Sequence, residues 1–301
     1  MPDFRRELPV IQQPAPAGPA IFERIAIVGL GLMGGSIALA ARAAWPQALV
    51  IGVDDNTVLE RAMVRHAIDV ASGDLMIVSE ADLVLLATPV REIVRLLPLL
   101  HERIGSDAVV TDVGSTKRAV MDAARSLPAR LPFVGGHPLA GAAKGGLDAA
   151  RADLCTGRPW LLVPSADGQD GAVEKVKAFV EGIGARPVMM ASAAEHDRQV
   201  ALLSHLPQLT ASALMAVVGE GVGEEGLALA GRGLIDTTRL SASPADIWRD
   251  ICATNADEIG PAIDRLIASL QQLRGDLAGG AVDRIFESAN RWRARLLADR
   301  P

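Results

Sequence analysis

One turn constrains this chain more than any other feature. Gly29-Leu30-Gly31-Leu32-Met33-Gly34 follows a short apolar run at 24–28 and opens an alanine-rich helical pattern at 33–44. Gly29 permits a tight turn, and Gly31 leaves the backbone bare enough for a pyrophosphate to approach. Gly34 lets helix and strand lie close. Leu32 and Met33 stand at the helix start, where backbone N–H groups face an anion. The spacing alone is a weak signal, and the strand before it and helix after it give it meaning. The other reading is a structural glycine turn in an α/β protein that binds no dinucleotide.

The same alternation continues as far as Met190. Strand patterns at 48–53, 83–87 and 108–112 are followed by helical patterns at 56–65, 90–101 and 116–125. Further strand candidates are 133–136, 160–164 and 186–190. This order implies a doubly wound, mostly parallel α/β sheet. After Ala191 the strand signals stop, and 196–219, 223–232, 244–253, 257–277 and the residues after Ala281 read as helices. The first of these is apolar around most of its circumference, which predicts burial. The expected organisation is a proline-bearing tail at 1–20, a nucleotide-binding domain at 21–190 and an all-α domain at 191–301.

Composition removes several classes of function. The chain has 301 residues, enough for about two domains. Tyrosine is absent, which excludes any mechanism that needs a phenol, including the Tyr/Lys catalysis of short-chain dehydrogenases. The formal charge is −6, and nothing in that balance attracts nucleic acid or an anionic membrane. Arg284, Arg291, Arg293 and Arg295 read as a solvated helix face. Cys155 and Cys252 are isolated, without metal-ligand spacing, and fit free thiols in a reducing compartment. The N-terminus lacks the apolar core of a signal peptide. The apolar stretch 200–218 holds His205, Pro207 and Gln208 and does not read as a membrane span. A soluble cytoplasmic protein without a metal is expected.

Candidate residues lie where such a sheet gathers ligands. Asp54 ends the second strand, at the distance from Gly34 where a carboxylate accepts from the adenosine ribose hydroxyls and repels a 2′-phosphate. No arginine follows in the next few residues, so NAD is favoured over NADP. The alternative is a turn-starting Asp. Thr88-Pro89 closes a strand at the ligand edge, as a cofactor contact or a chain break. His137, in Gly135-Gly136-His137-Pro138, follows a strand among small residues that leave room for a ligand, and imidazole is a natural acceptor for a hydroxyl proton. Ser115 either orients His137 or caps a helix. His196, His205, Arg239 and Trp248 fall in the helical region. His205 reads equally as a buried core histidine or a ligand. Arg239 is a surface arginine by default, though a guanidinium suits a carboxylate substrate.

GLGLMGGS at 29–36, TDVGSTK at 111–117, GGHPLAG at 135–141, SHLP at 204–207 and TTRLSASPADIWRDI at 237–251 occur in this order. Together the chain resembles the TyrA family of prephenate, arogenate and cyclohexadienyl dehydrogenases, over about residues 22–275. The resemblance implies a Rossmann domain followed by a helical domain that builds a homodimer. It implies that His137 takes the C4 hydroxyl proton as hydride leaves C4 for NAD, with loss of CO₂ and aromatisation. It gives Ser115 a hydrogen bond to both the hydroxyl and the histidine, and Arg239 a substrate carboxylate. His205 and Trp248 would line the pocket.

Two positions depart from the family pattern. Ala143 stands where many prephenate-using members carry an acidic residue, and Gln208 where many carry a second histidine, both near the substrate tail. The expectation is turnover of both prephenate and arogenate. Some members append a separate effector domain that binds tyrosine. The stretch 278–301 is shorter than the ~40 residues below which domains rarely fold alone, so tyrosine inhibition is expected to be competitive. A rival reading, the β-hydroxyacid and 6-phosphogluconate dehydrogenases, needs a catalytic lysine that 196–219 lacks. A dinucleotide-sensing protein without turnover need not keep His137, Ser115 and Arg239 together.

Overall fold

The strands of the N-terminal half are apolar on both sides, and this forces a sheet covered by helices on both faces. The computed structural model describes residues 19–105, 107–142, 144–165 and 170–298. The expected tail up to residue 18, and Ala143, lie outside them. The first elements are β1 (Arg24–Val28), α1 (Leu32–Ala44), β2 (Leu49–Val53), α2 (Asn56–Val64) and β3 (Val70–Ser72). Then come β4 (Leu83–Leu86), α3 (Val90–Arg103), β5 (Val109–Asp112), α4 (Arg118–Ala124) and β6 (Phe133–Pro138). β7 (Pro159–Pro164), α5 (Asp170–Gly182) and β8 (Arg186–Met189) complete the sheet region.

The sheet has eight strands in the order β3-β2-β1-β4-β5-β6-β7-β8, parallel throughout except for β6 against β7. This is the doubly wound sheet expected from the pattern. The order reverses between β1 and β4, where such sheets open a crevice at their carboxyl ends. Alternate side chains feed two cores. Ile25, Ile27, Leu83 and Leu85 pack with Ile37, Phe179 and Val180 on one face. Ala26, Val28, Val84 and Leu86 pack with Ile93, Leu97 and Leu100 on the other. Each buried Val, Leu, Ile or Phe side chain among them contributes roughly 1.5–3 kcal/mol. The scarce aromatics are concentrated. Trp45 stacks on Phe179 with centroids 5.4 Å apart, and Phe22 meets the same ring edge-on at 6.1 Å.

Several elements differ from the expectation. β3 is a three-residue edge strand, too short to show a period. α5 is not among the expected elements, although Ala172, Val176, Phe179 and Val180 mark its buried face at helical spacing. β6 runs to Pro138, so His137 lies within a strand rather than after it. α4 begins at Arg118, two residues later than expected.

By contacts the chain divides into two units, Met1–His196 with Pro244–Asp250, and Asp197–Ser243 with Ile251–Pro301. The helices after the sheet are α6 (Ala193–Val200), α7 (Leu206–Leu227), α8 (Arg232–Thr238), α9 (Ala245–Thr254), α10 (Ala256–Gly275) and α11 (Gly280–Ala298). No separate helix covers the expected 223–232. α7 continues to Leu227 across a break at Gly223, whose φ of 63° only glycine adopts easily. The expected burial of the apolar helix is also corrected, since Leu203 is 72% exposed and Val217 70%. By length and composition alone the run Ala193–Leu227 is long and apolar enough to cross a membrane. Yet Gln208 and His205 on that run bond to Leu240 and Asn255 of the same unit, as in a helix packed on protein.

Cys155 is buried in the first core, and desolvation pushes its thiol up to about 11. A thiol raised that far holds almost no thiolate at pH 8, so it is a poor nucleophile. Titration of the native protein with a chromogenic disulfide at pH 8 should leave Cys155 unmodified until denaturant is added. Rapid labelling of Cys155 in the native state would contradict the packing described for this core.

Candidate active site

The glycine turn sits at the carboxyl edge of β1. Gly29 has a φ of 94°, and a Cβ there would lie 2.8 Å from the Ala87 carbonyl carbon. A Cβ on Gly34 would lie 1.8 Å from the Gly29 oxygen, so helix and turn meet without a side chain between them. Gly31 is different: nothing lies within 4 Å of its Cβ position, which leaves open space beside the backbone. Gly31 is also the N-cap of α1, with no side chain capping the helix and no acidic residue in its first turn. Leu32, Met33 and Gly34 form that first turn, a bare positive helix end suited to a phosphate.

Two side chains complete this cradle. Asp54 accepts from the Leu30 N–H at 2.6 Å on one oxygen and from the Asp55 N–H at 2.7 Å on the other, so it braces the glycine turn from the end of β2. Each carboxylate oxygen keeps acceptor capacity for a ribose hydroxyl. Thr88 follows β4 on the facing side, with Pro89 as the N-cap of α3. The Thr88 hydroxyl oxygen is buried and has no hydrogen-bond partner among the described residues. A buried polar atom without a partner is costly, and a ligand in the crevice would satisfy it. The arginines after Asp54 are engaged elsewhere. Arg61 pairs with Asp148, and Arg65 donates to the Asp148 and Ala150 carbonyls at 3.1 and 2.7 Å. These features fit a dinucleotide with an unphosphorylated ribose.

A second cluster lies two strands away. β5 and β6 pair only at Val110↔Phe133 and Thr111↔Val134. Beyond that point the Asp112 side chain takes over. One of its oxygens accepts from the Gly136 N–H at 3.0 Å, and the other from the Gly114 N–H at 2.7 Å and the Lys117 ammonium at 2.5 Å. Asp112 and Lys117 are both fully buried. The glycines before His137 make room for this pair. A Cβ on Gly135 would lie 2.9 Å from the Met121 sulfur and 3.2 Å from Lys117 Cδ, and one on Gly136 would lie 2.3 Å from the Asp112 carbonyl oxygen. Gly135 and Gly136 therefore make room for Met121, Lys117 and the Asp112 backbone.

His137 extends from this support and is flanked by Leu161 of β7. Its Nδ1 lies 2.9 Å from Nε2 of His196, which is on α6 and fully buried. The sequence places His196 in the helical region and names no partner for it. Its only signal is a histidine four residues after a Ser192 that begins a helix. Ser115 is half-buried in the turn between β5 and α4. The cap position of α4 belongs to Lys117, so the capping reading of Ser115 is not found. Trp248, on α9, is half-buried and falls in the first unit.

In the second unit a π-helical turn, Ala201–His205, precedes α7. Such wide turns are uncommon and often mark functional sites. His205 is buried, with Nδ1 3.3 Å from the Asn255 amide nitrogen, and that amide donates to the Asp197 carbonyl at 2.9 Å. Gln208 donates to the Leu240 carbonyl at 2.7 Å and accepts from the Ser243 hydroxyl at 3.2 Å. Its amide thus holds the 3₁₀ turn Arg239–Ala242, at whose start the Arg239 side chain is exposed. Among the described residues, no group of three or more His, Cys, Asp or Glu is arranged to hold a metal.

The chain matches the family model described as the prephenate dehydrogenase nucleotide-binding domain over residues 37–189. Residues 192–290 match the prephenate dehydrogenase dimerization domain. A prephenate dehydrogenase of Bacillus subtilis is 36% identical over 84% of this chain and 69% of its own. A cyclohexadienyl dehydrogenase of Zymomonas mobilis is 35% identical over 89% of this chain and 92% of its own. The solved prephenate dehydrogenase of A. aeolicus, in complex with hydroxyphenyl propionate and NAD+, superposes with a TM-score of 0.82 at 30% identity, covering 91% of this chain and 97% of that one.

The buried pair generates a stability prediction. Lys117→Met leaves the Asp112 charge buried without a counter-charge, a change that costs about 3–5 kcal/mol. Urea unfolding should show a loss of that size. A loss far smaller than this would mean that Asp112 is not held as described.

Proposed function

Because the chain belongs to the prephenate dehydrogenase family, we propose that it catalyses the NAD-dependent oxidative decarboxylation of prephenate to 4-hydroxyphenylpyruvate in tyrosine biosynthesis, and that it also accepts arogenate. One observation carries the reading: His137, backed by a second buried histidine, stands on the same carboxyl sheet edge as a cradle that fits a dinucleotide. NAD, when bound, accepts hydride from the ring carbon that bears the hydroxyl.

The protein supplies proton handling and alignment. His137 takes the hydroxyl proton as the C–H bond is lost, so a carbonyl forms at that carbon. The ring carbonyl then draws the electrons of the C–CO₂ bond into the ring as CO₂ leaves. The proton returns to the oxygen, and the product is a phenol. Aromatisation drives the reaction, and the enzyme's work is to hold donor and base in register. Ser115 is assigned a hydrogen bond to the substrate hydroxyl, and Arg239 a substrate carboxylate through its paired N–H donors. His205, Trp248 and Gln208 are assigned to the pocket wall. The neutral Gln208 commits the tail pocket to neither a keto acid nor an amino acid.

The molecule is further proposed to act in the cytoplasm as a homodimer. Leu229, Phe286 and Trp292 are exposed in the helical unit, and a second copy is the simplest cover for so much apolar surface. Light scattering at micromolar concentration should give twice the 31.5 kDa chain mass. A particle of single-chain mass would refute the dimer.

NADH formation with prephenate and with arogenate is the direct test of activity. His137→Asn should cut kcat by about 10²–10⁴ while NAD affinity stays near the parent value. A variant within threefold of the parent rate would remove His137 from the chemistry. NAD should be preferred to NADP, and Asp54→Ser should relax that preference. Equal initial rates with the two cofactors in the parent protein would overturn the role given to Asp54.

A further inference from the structure

We infer that His196 is a positioning residue that fixes the tautomer of His137. The inference rests on the reading of His137 as the base. The two side chains meet through His137 Nδ1 and His196 Nε2 at 2.9 Å, with ring centroids 5.1 Å apart and planes inclined by 56°. Both rings are buried. At that distance one nitrogen carries the proton and the other accepts it.

The chemistry selects between the two arrangements. With Nδ1 committed to His196, a substrate proton has to arrive at His137 Nε2. Nε2 must therefore lack a proton in the resting enzyme, and Nδ1 must carry it. His137 Nδ1–H then donates to His196 Nε2, which requires His196 to hold its own proton on Nδ1. The opposite arrangement, with His196 donating from Nε2–H, leaves His137 protonated at Nε2 and unable to act as a base. His196 thus plays the part that a carboxylate plays behind a catalytic histidine, but without a negative charge.

The scaffold is built to hold this partner still. Ser192 accepts from the Glu195 N–H at 3.1 Å, and the Glu195 carboxylate accepts from the Ala191 N–H at 3.1 Å. His196 N–H donates to the Ser192 carbonyl at 3.0 Å and so lies in the first turn that these bonds fix. On the other side, the Asp112 bond to Gly136 N–H fixes the residue before His137. Asp112 and Lys117, which support that strand pair and its turn, form an ion pair with each other.

The test reads tautomers and rates separately. In ¹⁵N-histidine-labelled parent protein, multiple-bond ¹H–¹⁵N correlation should show both His137 and His196 as Nδ1–H tautomers once they are neutral, with His137→Asn and His196→Gln providing assignments. Finding His137 as the Nε2–H tautomer overturns the inference. His196→Leu, which removes the acceptor, should lower kcat by about 10–10²-fold while KM for substrate and for NAD moves less than about twofold, a fraction of the general-base effect. His196→Gln places an amide oxygen where Nε2 was and should keep kcat within about fivefold of the parent. Equal rates for the Leu and Gln variants would overturn the inference. If the Leu variant does not fold, the parent tautomers and the Gln variant still decide. Loss of activity in His137→Asn together with an Nε2–H His137 would leave His137 necessary for the reaction but remove the tautomer assigned through His196.

Discussion

A single carboxylate, Asp112, does what backbone pairing does elsewhere in the sheet. Where the regular β5–β6 pairing ends, the Gly136 N–H would lie buried without an acceptor. The Asp112 side chain supplies that acceptor, and the same group neutralises Lys117 and ties down the turn at Gly114. Taking two charges out of water costs several kcal/mol, and an apolar pair of similar volume is often no less stable. An apolar pair, however, has no oxygen to offer Gly136. The ion pair therefore sets where the end of β6 lies, and His137 is the next residue along.

The two halves of the proposed chemistry then use one property of a parallel sheet. All strands from β3 to β6 end at the same edge, so the glycine turn after β1, Thr88 after β4 and His137 on β6 are gathered without being close in sequence. The cradle under the glycine turn is held by Asp54, whose carboxylate binds the turn backbone. The base is held by Asp112 below and His196 beside it. Asp54 and His137 are thus each held by hydrogen bonds, one to the glycine turn and the other to His196.

Much of this is legible in the chain alone, for physical reasons. Glycine spacing, strand alternation and the loss of strand signals after Ala191 are local, and they specify the doubly wound sheet and the cofactor cradle. His137 stands out because it follows an apolar strand pattern and two glycines. What those glycines are for does not show, because Lys117, which fills the space under Gly135, belongs to a different element of the chain. His196 gives little signal because its partner is far away in sequence. Gln208 reads as a pocket residue, and its bonds to Leu240 and Ser243 do not show in the chain alone. The burial expected of the helix at 196–219 fails because an apolar circumference does not say how much of it the fold covers.

The central claim is that His137 receives a proton from the hydroxyl of the ring that gives up hydride. A crystal structure of the protein with NAD and a hydroxyphenyl acid tests it directly. The account predicts His137 Nε2 at about 2.6–3.2 Å from the ligand hydroxyl, with the nicotinamide ring against the carbon that bears it. A ligand whose hydroxyl is met by another side chain, with His137 Nε2 directed away from it, would contradict the account.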